Sequence, residues 1–261
     1  MDYTILLASL AALLAGFIDA VVGGGGLVQV PSLFILYPHF VVPQVIGTNR
    51  FASFMGTSVA AYQYAKKVTM PWKVILATGI GAAICSYLGA TVSSLLPANV
   101  LKPIMLVVMI GIAAYTYKNK NFGQTDNLQF NPTQLLIYGA LVGMCLGFYN
   151  GFIGPGTGSL LVFAFVSVLG YSLLNASGIA KVINVVADVS SLIFFIAGGY
   201  VQYEIAIPMM ICNMLGSYFG SRMAILKGSV FIRMMFIGVI GLLILRFGYD
   251  VLKPLWVTSH H

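Results

Sequence analysis

The sequence predicts an all-α integral membrane protein made of two pseudo-symmetric repeats with broken or re-entrant helices. Three observations carry this. Only 7% of the 261 residues are charged and 59% are apolar, with a mean hydropathy of +0.97. Soluble domains carry roughly 25% charged residues, so this chain cannot cover a water-facing surface. Second, apolar runs of spanning length follow one another from end to end. Third, a glycine-rich break occurs twice at a fixed offset: Gly16 and Gly23 to Gly26 in the first half, Gly147 and Gly151 to Gly158 in the second. The step along the chain from Gly16 to Gly147 is the same as that from Gly47 to Gly178.

At about 20 residues per spanning helix, the length allows eight to ten membrane segments and leaves no room for a soluble catalytic domain. The first run, Thr4 to Val22, is long enough to span and lacks the basic start of a cleaved signal peptide. Next, Leu27 to Tyr37 is a short apolar run that ends at Pro38. It rises only about 17 Å against a hydrocarbon core of about 30 Å, which points to a broken or re-entrant pair. Pro43 to Ala65, Trp72 to Leu96 and Lys102 to Tyr117 complete an N-terminal repeat over 1–118. Residues 119–132 are the one polar linker. The C-terminal repeat, 133–257, retraces the order: Gln134 to Ile153, the short Ser159 to Gly170, Leu173 to Ala197, Tyr203 to Leu226, and Val230 to Tyr249. The match extends to Cys85-Ser86-Tyr87-Leu88-Gly89 and Gly216-Ser217-Tyr218-Phe219-Gly220, again at the same offset. Residues 258–261 look like a tag remnant.

If the short segments cross, each repeat has five crossings and the second copy is inverted. Arg50 and Lys181 aside, that places Lys66, Lys67, Lys73, Lys118, Lys120, Arg222, Lys227 and Arg233 on one side, and Lys102, Arg246 and Lys253 on the other. With four crossings the split is seven to four. The positive-inside rule therefore leans toward inversion, a recurrent transporter design.

The net charge of +7 is scattered over segment ends, where Lys and Arg set topology, and does not form a nucleic-acid surface. Cys85, Cys145 and Cys212 lie in apolar runs without metal spacing and read as buried, inert thiols. No cofactor motif, metal cluster or catalytic triad is present, so an enzyme is not expected. Gly23 to Gly26 follows no strand and precedes no Lys-Ser/Thr, which excludes a P-loop.

Glycines in an apolar helix cost up to about 1 kcal/mol each and persist where backbone must bend or approach something closely. Each run here precedes a short helix, whose N-terminal amides form an anion site from backbone. Gly23, Gly24, Gly25 and Gly26 with Gly154, Gly156, Thr157 and Gly158 are the expected walls. Close helix packing through small residues is the alternative. Arg50 and Lys181 occupy equivalent positions within apolar surroundings. They are expected to bind an anionic substrate, with Thr48, Asn49 and Asn184 adding hydrogen bonds; snorkelling to an interface is the other reading. Asp19, its equivalent Asn150, and Asp188 are candidates for coupling to H⁺ or Na⁺. Equally, the carboxylates neutralise Arg50 or Lys181, and Asp188 lies two helical turns beyond Lys181 on the same face.

With these motifs the chain resembles the TauE/SafE family of sulfite and organosulfonate exporters (TSUP, DUF81). The resemblance rests on Gly16-Phe17-Ile18-Asp19 with Val22 to Gly26, on Gly47-Thr48-Asn49-Arg50, and on Gly154 to Gly158 with Lys181. It covers essentially the whole chain. It implies a multi-pass carrier of the bacterial inner membrane, working as a secondary transporter for sulfur-containing anions such as sulfite or sulfoacetate. Competing expectations are an anion channel, a carrier of non-sulfur carboxylates, and a membrane scaffold without transport. A chain this small with apolar helix faces can also form a homodimer.

Overall fold

The computed structural model describes residues 3–93, 123–128 and 130–258, with backbone alone at 239–240 and 242–258. The expected helix from Lys102 to Tyr117, part of the 119–132 linker and the end of the tag remnant lie outside the described residues. Eight helices and no strand are present among the described residues. They are α1 (Tyr3–Val22), α2 (Gly26–Leu36), α3 (Val42–Ala65), α4 (Trp72–Ser93), α5 (Pro132–Phe152), α6 (Thr157–Ser167), α7 (Leu173–Ala197) and α8 (Tyr203–Thr258). Helix α8 is two helices meeting at a kink, where Gly228 has φ 70° and ψ −165°. Four of the described helices, α1, α4, α5 and α7, are long and apolar enough to cross a membrane, and α2 and α6 are shorter apolar helices.

The duplication reaches the helix starts. Gly26 and Thr157, Val42 and Leu173, and Trp72 and Tyr203 begin equivalent helices, each pair separated by the offset that relates the two glycine breaks. Local chemistry explains several of these starts. Pro43 sits in the first turn of α3, and the Gln44 side chain accepts from the Val41 N–H at 3.1 Å. At α5, Asn131 and Gln134 cap each other reciprocally, at 2.9 and 3.2 Å, before Pro132. Such a box satisfies two amides that the first helical turn leaves unpaired. Ser172 caps α7 by accepting from the Asn175 N–H at 3.4 Å. The described part of the linker docks there too: Asp126 accepts from the Ser172 N–H at 2.5 Å and from Asn175 Nδ2 at 2.7 Å.

Packing follows the same symmetry. Helix α1 lies along α8, and its counterpart α5 lies along α4. The approach is close: a Cβ on Gly16 would overlap the Asn213 carbonyl, and one on the equivalent Gly147 would overlap Ala82. Asn213 Nδ2 donates to the Ala12 carbonyl and Ser217 Oγ to the Gly16 carbonyl, both at 3.1 Å, so α1 and α8 run the same way. In the centre α3 crosses α7, with Gly47 against Phe195, Arg50 against Asp188 and Tyr64 against Gly178. Numbers rise on one helix as they fall on the other. The equivalent helices α3 and α7 therefore run in opposite directions.

Helix α2 folds back along α1, because Val30 and Leu33 cluster with Ala8 and Ala12 while Gly25 rests on Ala15 and Asp19. The break is thus a hairpin, and α5 with α6 forms its equivalent. Large apolar side chains line the outward faces of several helices: Leu6, Leu10 and Leu14 on α1, Leu76, Ile80 and Ile84 on α4, Ile207, Ile211 and Leu215 on α8. Small and polar residues lie inward, the pattern expected where lipid is the solvent and small side chains let helix backbones meet. The cysteines are a correction to the sequence reading. They are free as expected, but Cys145 is exposed and Cys85 and Cys212 are only half-buried.

Candidate functional site

The two glycine breaks meet in the middle of the protein. Gly23 has φ +80° and Gly154 and Gly156 have φ +85° and +88°, left-handed conformations that cost other residues about 1–2 kcal/mol. These turns let the chain reverse at the ends of α1 and α5. The breaks also touch: the Ser159 N–H donates to the Gly23 carbonyl at 3.0 Å, and a Cβ on Gly26 would sit 3.1 Å from Pro155 Cα. Close packing and site formation are therefore one feature here. The N-termini of α2 and α6 converge on a cavity of about 30 Å³, room for a few water-sized groups at most.

Most of the predicted residues line it: Gly23, Gly25, Gly26, Asn49, Arg50, Gly154, Gly156, Thr157, Gly158 and Asn184, with Asp19, Asn150 and Asp188. Three do not. Gly24 faces Ser159, Ile18 and Leu27 at ordinary contact distances. Thr48 accepts from the Gln202 N–H at 3.1 Å and so holds the start of α8. Lys181 lies behind the wall, bound to Asp19. The cavity also includes Gln29, Ser53, Thr57, Pro155 and Asn213, which sequence reasoning missed. Ser53 and Thr57 precede Asn184 and Asp188 by the repeat offset, so applying it to those two residues would have found them. A polar residue in an apolar run was the available signal for Gln29 and Asn213.

Charge is arranged as two crossed ion pairs. Lys181 Nζ meets Asp19 Oδ2 at 3.0 Å and also donates to the Asp19 carbonyl. Arg50 Nη1 meets Asp188 Oδ1 at 2.9 Å and Ser191 Oγ at 2.8 Å, while Nη2 donates to the Asn150 carbonyl. Lys181 thus binds the α1 terminus and Arg50 binds the α5 terminus, each cation reaching into the other repeat. Same-helix pairing of Lys181 with Asp188, which helical spacing permits, is not what forms. Snorkelling is excluded for both, since Arg50 is 2% exposed and Lys181 1%.

The third partner differs between the halves. Thr57 Oγ1 donates to Asp19 Oδ2 at 3.3 Å, and Asn150 Nδ2 donates to Asp188 Oδ1 at 3.0 Å. Each half-site therefore holds one cation, one carboxylate and one neutral donor, but the carboxylate has changed helices. With two cations and two carboxylates the quartet is neutral.

Two side chains remain without a protein partner. Asn49 and Asn184 are 6% and 7% exposed, line the cavity, and make no side-chain hydrogen bond among the described residues. Their Oδ1 atoms, Arg50 Nε and Gln29 Nε2 are buried without a partner. Buried polar groups are nearly always paired, and leaving one unpaired costs about 1–3 kcal/mol. A set of them around one cavity, between two helix N-termini, supplies the contacts that a small polar ligand requires.

Fold and site together define a multi-pass membrane protein with a central, charge-paired polar cavity. The model of the sulfite exporter TauE/SafE family matches residues 8–247, nearly the whole chain, and the protein belongs to that family. It is 32% identical to a probable membrane transporter protein, ORF9, of Sinorhizobium sp., over 96% of this chain and 95% of the relative. It is 31% identical to a probable membrane transporter of Haemophilus influenzae, over 90% and 91%. Against the probable membrane transporter YfcA of Escherichia coli K12 the figures are 30% identity over 92% and 87%. No solved structure matches it. Membrane transport is the function these relatives share.

Proposed function

We propose that the protein is a secondary transporter of small sulfur-containing anions such as sulfite or sulfoacetate, an exporter of the bacterial inner membrane. The observation that carries the reading is the meeting of two short-helix N-termini at a cavity lined by unpartnered amides. Helix N-termini carry partial positive charge and N–H donors, and they favour anions. Asn49 and Asn184 offer Nδ2 donors that bond to no protein group among the described residues, while their unpartnered Oδ1 atoms suit a protonated ligand oxygen or a water, and Arg50 Nε supplies a charged donor. Such a site grips oxyanion oxygens without needing a net cationic charge. The choice of sulfur over carboxylate oxyanions rests on the family match.

We read the two cations as taking different parts. Lys181 fixes the α1 break through Asp19, and Arg50 bridges α3, α5 and α7 while facing the cavity. Because α3 and α7 run in opposite directions, the repeats are read as inverted across the membrane. The paired breaks then lie near mid-depth, where inverted-repeat carriers bind substrate. Alternation of access by one repeat against the other follows from that design.

The test uses proteoliposomes on a sensor membrane, recording charge movement on addition of sulfite, sulfoacetate, sulfate, acetate and chloride, with Arg50→Ala and Asn184→Ala alongside. Saturable currents for sulfur oxyanions, reduced in both variants, support the reading. Equal currents for acetate and chloride, or full activity in both variants, contradict it. Flux of labelled substrate covers electroneutral movement.

A further inference from the structure

We propose that Asp188 is a proton-binding site that carries one proton across the membrane with each anion, so that export driven by the anion's own gradient moves a proton outward and an outside-acid gradient drives the reverse movement; the inference rests on the transport reading above. The argument begins with charge. Arg50, Lys181, Asp19 and Asp188 sum to zero within one buried quartet. An anion placed against them leaves the centre of the protein with an uncompensated negative charge, and such charges are costly in low dielectric. A proton added to one of the carboxylates restores neutrality for a singly charged anion and offsets one of the two charges of sulfoacetate.

The two carboxylates are not equally placed to take it. Asp19 uses both oxygens: Oδ2 accepts from Lys181 and Thr57, and Oδ1 from the Gly25 N–H at 3.4 Å. Asp188 takes both its donors, Arg50 Nη1 and Asn150 Nδ2, on Oδ1. No donor among the described residues reaches its Oδ2, and Asp188 lines the cavity. The consequences of protonation differ as well. Neutralising Asp19 frees Lys181, which does not line the cavity. Neutralising Asp188 frees Arg50, which does.

The charged groups acting on Asp188 are Arg50 from α3, Asp19 from α1 and Lys181 from its own helix. From α5 it meets the neutral Asn150, whose amide also reaches Ser86 of α4 at 3.5 Å. Of the described residues, α6 and α8 contribute no charged group acting on it. The step is a proton transfer alone. A proton from one bulk phase adds to Oδ2, the Arg50 Nη1 to Oδ1 bond weakens, and the guanidinium turns to the anion. When the anion leaves, Arg50 returns to the carboxylate and the proton departs to the same side.

The experiment uses full-length protein in liposomes with entrapped pyranine and labelled sulfoacetate, the membrane potential clamped by potassium and valinomycin. For wild type, an outside-acid gradient should drive accumulation of up to about tenfold per pH unit, the concentration ratio equal to 1.4 kcal/mol, with internal acidification. Asp188→Asn should lose gradient-driven accumulation and acidification, and its counterflow, whatever its rate, should be the same at acid and alkaline pH. Asp188→Glu, which keeps the carboxylate, should keep the coupling. Label moving in wild type without internal acidification would overturn the proton site while leaving transport standing. So would an Asp188→Asn protein that still accumulates label like wild type. Absence of labelled flux in wild type under every gradient, counterflow included, would remove the transport reading and this inference with it. If Asp188→Asn does not fold, Asp188→Glu takes its place: it should keep the coupling but shift the pH dependence of counterflow, and a pH profile identical to wild type would overturn the site.

Discussion

The two half-sites are built on one plan and differ in where the negative charge sits. Around Lys181 the carboxylate is on α1, as Asp19, and the equivalent of Asp188 is Thr57. Around Arg50 the carboxylate is on α7, as Asp188, and the equivalent of Asp19 is Asn150. Both arrangements satisfy the same electrostatic need, a buried cation neutralised at short range. They leave different groups facing the cavity. The Lys181 half is closed, its cation behind the wall. The Arg50 half is open, with guanidinium, carboxylate and amide all lining the space. A duplicated fold has thus given one half a pair whose carboxylate alone faces the cavity, and the other a pair that faces it with both charges.

The largest expected effect comes from the closed half. Lys181→Ala leaves Asp19 buried without its counter-charge, and breaking such a pair costs about 3–5 kcal/mol. The check is thermal unfolding in detergent against wild type, and a Lys181→Ala protein as stable as wild type breaks the comparison. A second test sharpens it by moving the carboxylate. Asp188→Asn combined with Asn150→Asp rebuilds around Arg50 the arrangement that Lys181 has. The double variant should recover most of the stability lost by Asp188→Asn alone, with a coupling energy of about 1–3 kcal/mol. Additive losses would show that the two positions do not share the charge.

Smaller still is the cost of Gly156→Ala. Its φ of +88° makes the change unfavourable by about 1–2 kcal/mol, and chemical denaturation reads it. Asn49→Ala and Asn184→Ala should sit at the bottom of the stability scale, within about 1 kcal/mol of wild type, because neither side chain loses a protein partner. Their effect should appear in transport instead, which separates ligand binding from scaffolding.

How much of this was legible in the sequence depended on whether the signal was periodic or spatial. The constant offset between the two halves predicted the helix order, the short α2 and α6, and the equivalence of Arg50 with Lys181 and of Asp19 with Asn150. Helix starts follow it to the residue at Gly26 and Thr157. Partnership was not legible. Spacing on one helix offered Lys181 and Asp188, whereas the fold joins Lys181 to Asp19, 162 positions away, by folding α2 and α6 back against α1 and α5. Thr48 read as a ligand group because it is polar and adjoins Arg50, but a helix alternates its faces, and this residue turns to the start of α8. Gln29 and Asn213 have the apolar equivalents Leu160 and Ala82, so the repeat gave no hint of them. Their mutual hydrogen bond, at 3.1 Å, spans elements far apart in sequence.

The central claim is that Asn49 and Asn184, unpartnered beside Arg50, hold the anion between the two breaks. Equilibrium binding of labelled sulfoacetate to purified protein tests it directly, with wild type beside the Asn49→Ala/Asn184→Ala double variant and Thr48→Ala as a cavity-outside control. Hydrogen bonds to a charged group contribute about 1.5–3 kcal/mol each, so saturable wild-type binding should weaken at least about tenfold in the double variant and stay near wild type in the control. Equal affinity in all three proteins would contradict the account.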